Sequence, residues 1–147
     1  MNNKMNLSFI SISENEAFAR NVIAAFMLGL NPTLSEINDV KTAVSEAVTN
    51  AIVHGYPDTE GIIEMSACID ERGLHIEIKD SGVGIENVER ALEPFYTTGE
   101  ENERSGMGFT VMRTFMDEVE VESCLNRGTS VKMSKRIREE KDCAVGE

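Results

Sequence analysis

Apolar and polar positions along this chain change their period several times, and each change marks an element. Leu7 to Ile12 alternates apolar and polar residues, the pattern of a half-buried strand. Ser13-Glu-Asn-Glu16 has the residue types of a capping box, so a helix is expected to open there. Phe18, Val22, Phe26 and Leu30 recur at helical spacing and predict one apolar stripe on that helix. Asn31-Pro32 ends it. Thr33-Leu-Ser-Glu36 is a second capping box, and the second helix is expected over Leu34 to His54. Gly55 is its expected C-cap, and Pro57 blocks continuation.

The period then shifts to two. Ile62 to Ile69 and Leu74 to Ile78 read as strands, with Asp70-Glu-Arg-Gly73 as the hairpin turn between them. A short helix is expected near Val88 to Leu92, a loop over Phe95 to Arg104, and a helix over Phe109 to Met116. Val119 to Ser123 and Thr129 to Met133 make a last hairpin around Asn126-Arg-Gly128. The order predicts an α+β fold: a two-layer sandwich in which a mixed, mostly antiparallel sheet is covered by helices on one face. A doubly wound parallel sheet does not fit this order. Residues 1–135 are expected to form a single domain, and 136–147 a flexible tail.

Composition narrows the function. A chain of 147 residues supports one domain with a real core. Its formal net charge of −12 argues against direct nucleic-acid binding, which needs clustered Lys and Arg. An acidic surface suits a basic protein partner instead. Cys68, Cys124 and Cys143 show no C-x-x-C spacing, as expected of reduced thiols in a cytosolic protein, and the two histidines lie far apart, which disfavours zinc. The longest apolar stretch, Val22 to Leu30, is too short to span a bilayer, and the amino terminus lacks a signal-peptide pattern. The expected compartment is the cytoplasm.

Chemistry is concentrated in four segments. Glu46 and Asn50 are four residues apart, so a helix carries both on one face while Val44, Val48, Ala51 and Ile52 make the other face apolar. A carboxylate can accept a proton, and an amide oxygen can ligate a hard cation such as Mg²⁺. Asp80-Ser-Gly-Val-Gly84 follows a strand, and its glycines let a flat ligand approach the backbone. An ionised Asp only accepts hydrogen bonds, so it suits the exocyclic amine of adenine and repels the carbonyl oxygen that guanine has there. Arg104-Ser-Gly-Met-Gly108 opens a helix, where free N–H groups and the dipole favour an anion. Gly128-Thr129 begins the last strand. Taken alone, the last three segments fit blander roles better, as a strand-ending turn, a flexible loop and a hairpin, whereas a solvated polar face fits Glu46 and Asn50 poorly because the helix around them is so apolar. His54 reads as a structural histidine near a helix end, and Met107, Met112 and Met116 as core filling. Neither glycine segment has the residues of a P-loop or of a dinucleotide fingerprint.

The order of the four segments is what changes their weight. It resembles the ATP-binding fold shared by DNA gyrase, sensor histidine kinases and the MutL repair protein, the Bergerat or GHKL fold. Glu46-Ala-Val-Thr-Asn50 matches that family's N-box, Asp80-Ser-Gly-Val-Gly84 its adenine box, Ser105-Gly-Met-Gly108 its phosphate box and Gly128-Thr129 its closing element. Ser45 to Tyr56 is similar to the bacterial anti-sigma serine kinases, and Glu103 to Phe109 with Phe115 to Val119 narrows the likeness to their sporulation branch in endospore-forming bacteria.

The resemblance implies a protein-serine kinase with ATP and Mg²⁺ as cofactors. It makes Glu46 the catalytic residue that accepts the proton of an attacking serine hydroxyl, and Asn50 the Mg²⁺ ligand. Asp80, supported by Thr129, binds the adenine amine, and Gly82 and Gly84 admit the base. Ser105, Gly106, Met107 and Gly108 cradle phosphates, Arg104 contacts the terminal phosphate, and a lid carrying Thr97 and Thr98 closes over the nucleotide. The implied partners are a serine-bearing anti-anti-sigma protein, a sporulation sigma factor and a second copy of the chain, with the first helix and the strand before it as candidate dimer contacts. Neither nucleic acid nor membrane is an expected direct partner. Two other readings remain: the anti-sigma kinase of a stress pathway, and a module that sequesters a sigma factor without catalysis. The sequence lacks the phospho-accepting histidine domain and longer lid of sensor histidine kinases.

Overall fold

The computed structural model describes residues 2–93 and 108–137 of the chain. Five strands form one sheet: β1 (Asn3–Ile10), β2 (Ile62–Asp70), β3 (Gly73–Asp80), β4 (Glu118–Cys124) and β5 (Gly128–Lys135), in the order β1-β2-β3-β5-β4. Each of the four pairings is antiparallel, so the sheet among the described residues is more uniform than the mixed one expected. The connection after β3 skips one position and sets β4 at the edge. The β4–β5 hairpin then brings β5 back between β4 and β3.

The period-two pattern divides the sheet into two unlike faces. Ile63, Met65, Ala67 and Ile69 of β2, Leu74, Ile76 and Ile78 of β3, and Val131 and Met133 of β5 are buried under the helices. The alternate positions carry Glu64, Ser66, His75, Glu77, Lys79 and Lys132, and among the described residues no helix covers this face. Polar pairs settle it: His75 Nε2 lies 3.0 Å from Asp70 Oδ1, and Ser130 donates to Glu77 at 2.6 Å.

The helices are α1 (Glu14–Phe26), α2 (Leu34–Asn50), the single turn α3 (Val88–Ala91) and α4 (Gly108–Phe115). The central helix is α2, packed against both α1 and α4. It buries Val40, Ala43, Val44, Ala47 and Val48, and the stripe continues through Ala51. Its capping box forms as read: Glu36 N–H donates to Thr33 Oγ1 at 3.1 Å, and Thr33 N–H to Glu36 Oε1 at 2.9 Å. Met112 and Met116 fill core beside it, while Met107 lies outside the described residues.

Four local expectations are corrected. Ser13 has helical φ and ψ and makes no side-chain cap bond, so the first capping box does not form. The Glu16 carboxylate is taken by Arg20 at 2.8 Å and by the Ser45 hydroxyl of α2. The buried stripe of α1 is rotated by one residue: Ala19, Ile23 and Met27 are fully buried, Val22, Phe26 and Leu30 flank them, and Phe18 is exposed. The Phe stripe and the Ala-Ile-Met stripe have the same spacing, and periodicity alone could not rank them. The second helix does not reach His54 in α form. It ends at Asn50 and widens into a π-helical turn over Ala51–Gly55, closed by Tyr56 N–H to Ala51 O at 3.1 Å. Gly55 is therefore not the C-cap, and Tyr56 takes that place. At the other end of the chain, Arg136 N–H donates to Asp117 and Ile137 is buried, so packing continues two residues beyond Lys135.

Candidate functional site

The inner face of the sheet changes character in one row. Proceeding along the strands, Ile76 pairs with Met133 and Met133 with Val119; the next inward row joins Ile78, Val131 and Val121. The row after that is Asp80, Thr129 and Ser123. Three adjacent strands thus switch from apolar to polar at the same level on the helix-covered side. Such a row is costly to bury unless its groups bond each other or a ligand.

The loop after β3 is anchored at nearly every backbone amide. Ser81 N–H donates to Tyr56 Oη at 2.7 Å, Gly82 N–H to Asp80 Oδ1 at 2.9 Å, Val83 N–H to Gly55 O at 2.9 Å, and Ile85 N–H to Ser123 Oγ at 2.7 Å. Tyr56 in turn donates to Ile62 O at 2.7 Å. Close approach explains the glycine at 82: a Cβ there would lie 1.9 Å from Gly55 O. Gly84 is needed for a second reason, since its φ of +80° is a conformation that L side chains rarely adopt.

The π turn joins this loop to α2. It directs Gly55 O at Val83 and brings Gly55 against the Asp80 carboxylate, where a Cβ would lie 2.9 Å from Asp80 Oδ1. One turn before it, Asn50 faces the start of α4. A Cβ on Gly108 would lie 2.9 Å from Asn50 Nδ2 and 3.2 Å from Asn50 Oδ1. Glu46 sits one helical turn earlier and is half-buried. A carboxamide oxygen, a carboxylate and a helix N-terminus are therefore grouped at one end of the helical layer, beside the polar row of the sheet.

Burial raises the Asp80 carboxyl above its ordinary value of 3.8, opposed by hydrogen bonds from the backbone of Gly82 and Thr129. Holding this charge in place works against the fold, the usual mark of a ligand-binding group. Among the described residues no cluster of three His, Cys, Asp or Glu side chains could hold a metal unaided. A Mg²⁺ at Asn50 fits only with phosphate and water as its other ligands, which is how that ion is commonly held.

Of the residues singled out in the sequence, Glu46, Asn50 and Gly108 come together around α2 and α4, and Asp80, Gly82, Gly84 and Thr129 around the β3 loop. Thr97, Thr98, Arg104, Ser105, Gly106 and Met107 lie outside the described residues, as does the lid expected there. His54 is exposed. Sequence reasoning passed over Tyr56 and Ser123, whose hydroxyls hold the loop. A signal for Ser123 was present: Leu74-Ile76-Ile78-Asp80 and Val119-Val121-Ser123 both lose their apolar parity at the strand end. A shallow concavity on the bare sheet face, lined by Lys4, Ser66, Cys68, His75, Glu77 and Lys132 among others, lies on the opposite side of the sheet. It is open and has none of the close backbone approaches that make the β3 loop site.

Comparison with known proteins places this fold in a family. The histidine kinase-like ATPase domain family matches residues 13–135. Anti-sigma F factors align over nearly the full length: that of Clostridium acetobutylicum is 55% identical over 93% of this chain and 96% of the relative. That of a Geobacillus species is 53% identical over 96% of this chain and 97% of its own. Among solved structures, the RsbU and RsbW domains of a Mycobacterium tuberculosis protein superpose with a TM-score of 0.68 at 18% identity, over 93% of this chain and 33% of that one. The histidine kinase domain of a blue-light activated kinase from Erythrobacter litoralis gives 0.58 at 18% identity, over 90% of this chain and 65% of that one. At such identity these two likenesses speak for the fold. Among the described residues no helix is long and apolar enough to cross a membrane. The chain belongs to the histidine kinase-like ATPase domain family and, within it, to the anti-sigma F factors.

Proposed function

We propose that this chain is an ATP-dependent protein-serine kinase that also binds and inhibits a sporulation sigma factor, sigma factor F. The observation that carries the catalytic half is the approach of Asn50 to Gly108, with Glu46 one turn away and Asp80 joined through the π turn. In this reading Asp80 accepts from the adenine amine with Thr129 in support, and Gly82 and Gly84 leave room for the base. The segment Arg104 to Gly108 holds the phosphates, and Asn50 Oδ1 ligates Mg²⁺. The ion, when bound, neutralises phosphate charge, which phosphoryl transfer depends on. Glu46 orients the serine hydroxyl of an anti-anti-sigma protein and takes its proton. The serine oxygen then bonds the γ-phosphorus as the bond to the ADP oxygen breaks.

The partner half rests on what the relatives are called and on charge. Sigma factors present basic surfaces to DNA, and a chain of net charge −12 complements them. The functional unit in this reading is a homodimer in the cytoplasm. Among the described residues β1 is an edge strand of the sheet, and Ile10 at its end and Phe18 on α1 are exposed, which supports β1 and α1 as the contact. A sedimenting mass of one chain would remove the dimer from the proposal.

Glu46→Gln tests the catalytic assignment. ATP binding is expected to persist while serine phosphorylation falls by about 10²- to 10⁴-fold, the usual share of a general base. Normal transfer by this variant takes Glu46 out of the mechanism. Capture of partners in ATP and in ADP, followed by mass spectrometry, identifies the sigma factor and the phosphoserine; recovery of neither sinks the two-partner reading.

A further inference from the structure

We propose that Ser123 is a positioning residue for base selection, acting through Thr129; the inference rests on the ATP reading above. Ser123 is the last residue but one of β4, an edge strand among the described residues, and is half-buried. Its hydroxyl oxygen lies 2.7 Å from Ile85 N, 3.1 Å from Gly128 O and 2.8 Å from Thr129 Oγ1.

The donors and acceptors in this cluster can be assigned by counting. A serine hydroxyl has one proton and two lone pairs. Ile85 N–H can only donate, so it occupies one lone pair. Gly128 O can only accept, so it takes the Ser123 proton. The second lone pair is then left for Thr129, whose hydroxyl must be the donor across the 2.8 Å contact. All three capacities of Ser123 are filled. Thr129 has given its only proton away from the ligand side, and toward a base it can offer only lone pairs.

That polarity matters because Thr129 is the cross-strand partner of Asp80. An ionised Asp80 is also an acceptor without a proton. The two neighbours thus present acceptors alone, matching an exocyclic amine and opposing a carbonyl oxygen. Asp80 sets the charge of this pair, and Ser123 removes the one proton that would blur it. The same hydroxyl ties Ile85, at the far end of the loop through Gly82 and Gly84, to the β4–β5 hairpin. One atom therefore fixes both the loop and the orientation of Thr129.

Two measurements on the full chain test this. Binding of ATP and of GTP is measured by calorimetry for wild type, Ser123→Ala, Ser123→Thr and Thr129→Val. Ser123→Ala is expected to lower the ratio of ATP to GTP affinity by about 3- to 10-fold, the worth of one net hydrogen bond. Ser123→Thr keeps a hydroxyl and restores the ratio. Combining Ser123→Ala with Thr129→Val is expected to change the ratio no further than Thr129→Val alone, since Ser123 works through Thr129. A structural role would weaken both nucleotides together, so an unchanged ratio in Ser123→Ala overturns the proposal, as does full additivity in the double variant. If Ser123→Ala does not fold, Ser123→Cys, close in shape and a weak hydrogen-bonding group, is expected to shift the ratio in the same direction, and an unchanged ratio there overturns the proposal equally. A wild-type chain that binds neither nucleotide overturns the ATP reading itself, an outcome separate from an unchanged ratio.

Discussion

Asp80→Asn separates what the site does for the fold from what it does for a ligand. The substitution keeps the shape of the side chain and an acceptor oxygen for Gly82 N–H, now at 2.9 Å, but removes the charge. The wild-type carboxyl is raised by burial above 3.8. A carboxyl whose folded value exceeds its unfolded value binds more protons when folded, so its contribution to stability falls as pH rises through the window between the two. That window opens near 3.8 and closes at the raised folded value. Above it, wild type carries the full cost of a half-buried carboxylate and Asp80→Asn carries none. The stability of the variant relative to wild type is therefore expected to climb with pH across the window and then stay level.

Nucleotide binding moves the other way. A hydrogen bond to a charged acceptor is worth about 1.5–3 kcal/mol, so ATP affinity is expected to drop roughly tenfold to a hundredfold. The amide can also turn an NH₂ toward the base, which opposes an amine and favours a carbonyl oxygen, so GTP should lose less than ATP. Urea unfolding from pH 4 to 8 without nucleotide, and calorimetry with ATP and GTP at neutral pH, read the two effects. Equal ATP affinity in wild type and variant would refute the adenine assignment. A relative stability independent of pH would refute the burial argument.

Gly82→Ala is expected to destabilise the chain by about 1–3 kcal/mol through overpacking and to abolish tight ATP binding, because both Gly55 O and the loop are backbone and cannot rotate away. Unchanged unfolding midpoint and ATP affinity would show that the loop tolerates a side chain there. Thr33→Ala removes one bond of the capping box on α2 and should lower stability by about 1 kcal/mol, with ATP affinity retained because the cap is at the opposite end of the helix from Asn50. An ATP affinity that falls with stability would mean that the cap and the site are coupled.

Much of the fold was legible because its signals are local. The capping box at Thr33, the breaker Asn31-Pro32 and the four hairpin strands depend on neighbouring residues, and each appears where the pattern put it. Asn31 has a φ of 55°, a left-handed conformation that ends the turn before Pro32. Errors arose where two local readings tied. The Ser13 box lost because Glu16 found Arg20 and, across the helix pair, Ser45. The Phe18 stripe lost because the surface it would have filled belongs to Ala19 and Ile23, small or branched enough for α1 to lie close on α2.

The site divides along the same line. Residue types, with the order of their segments read through the resemblance to the ATP-binding fold, singled out Glu46, Asn50, Asp80, Gly82, Gly84, Gly108 and Thr129 as candidates. Sequence could not show how they meet. The π turn at Ala51–Gly55 looks like ordinary helix in the sequence, yet it aims Gly55 O at Val83 and seats Gly55 on Asp80. The roles of Tyr56 and Ser123 are likewise tertiary, since their partners Ser81 and Ile85 lie 25 and 38 residues away. Periodicity follows from the geometry of one helix or one strand, so the chain determined its elements and the chemistry they carry. The polarity of a hydroxyl depends on every donor and acceptor around it, and only the packed structure brings those together.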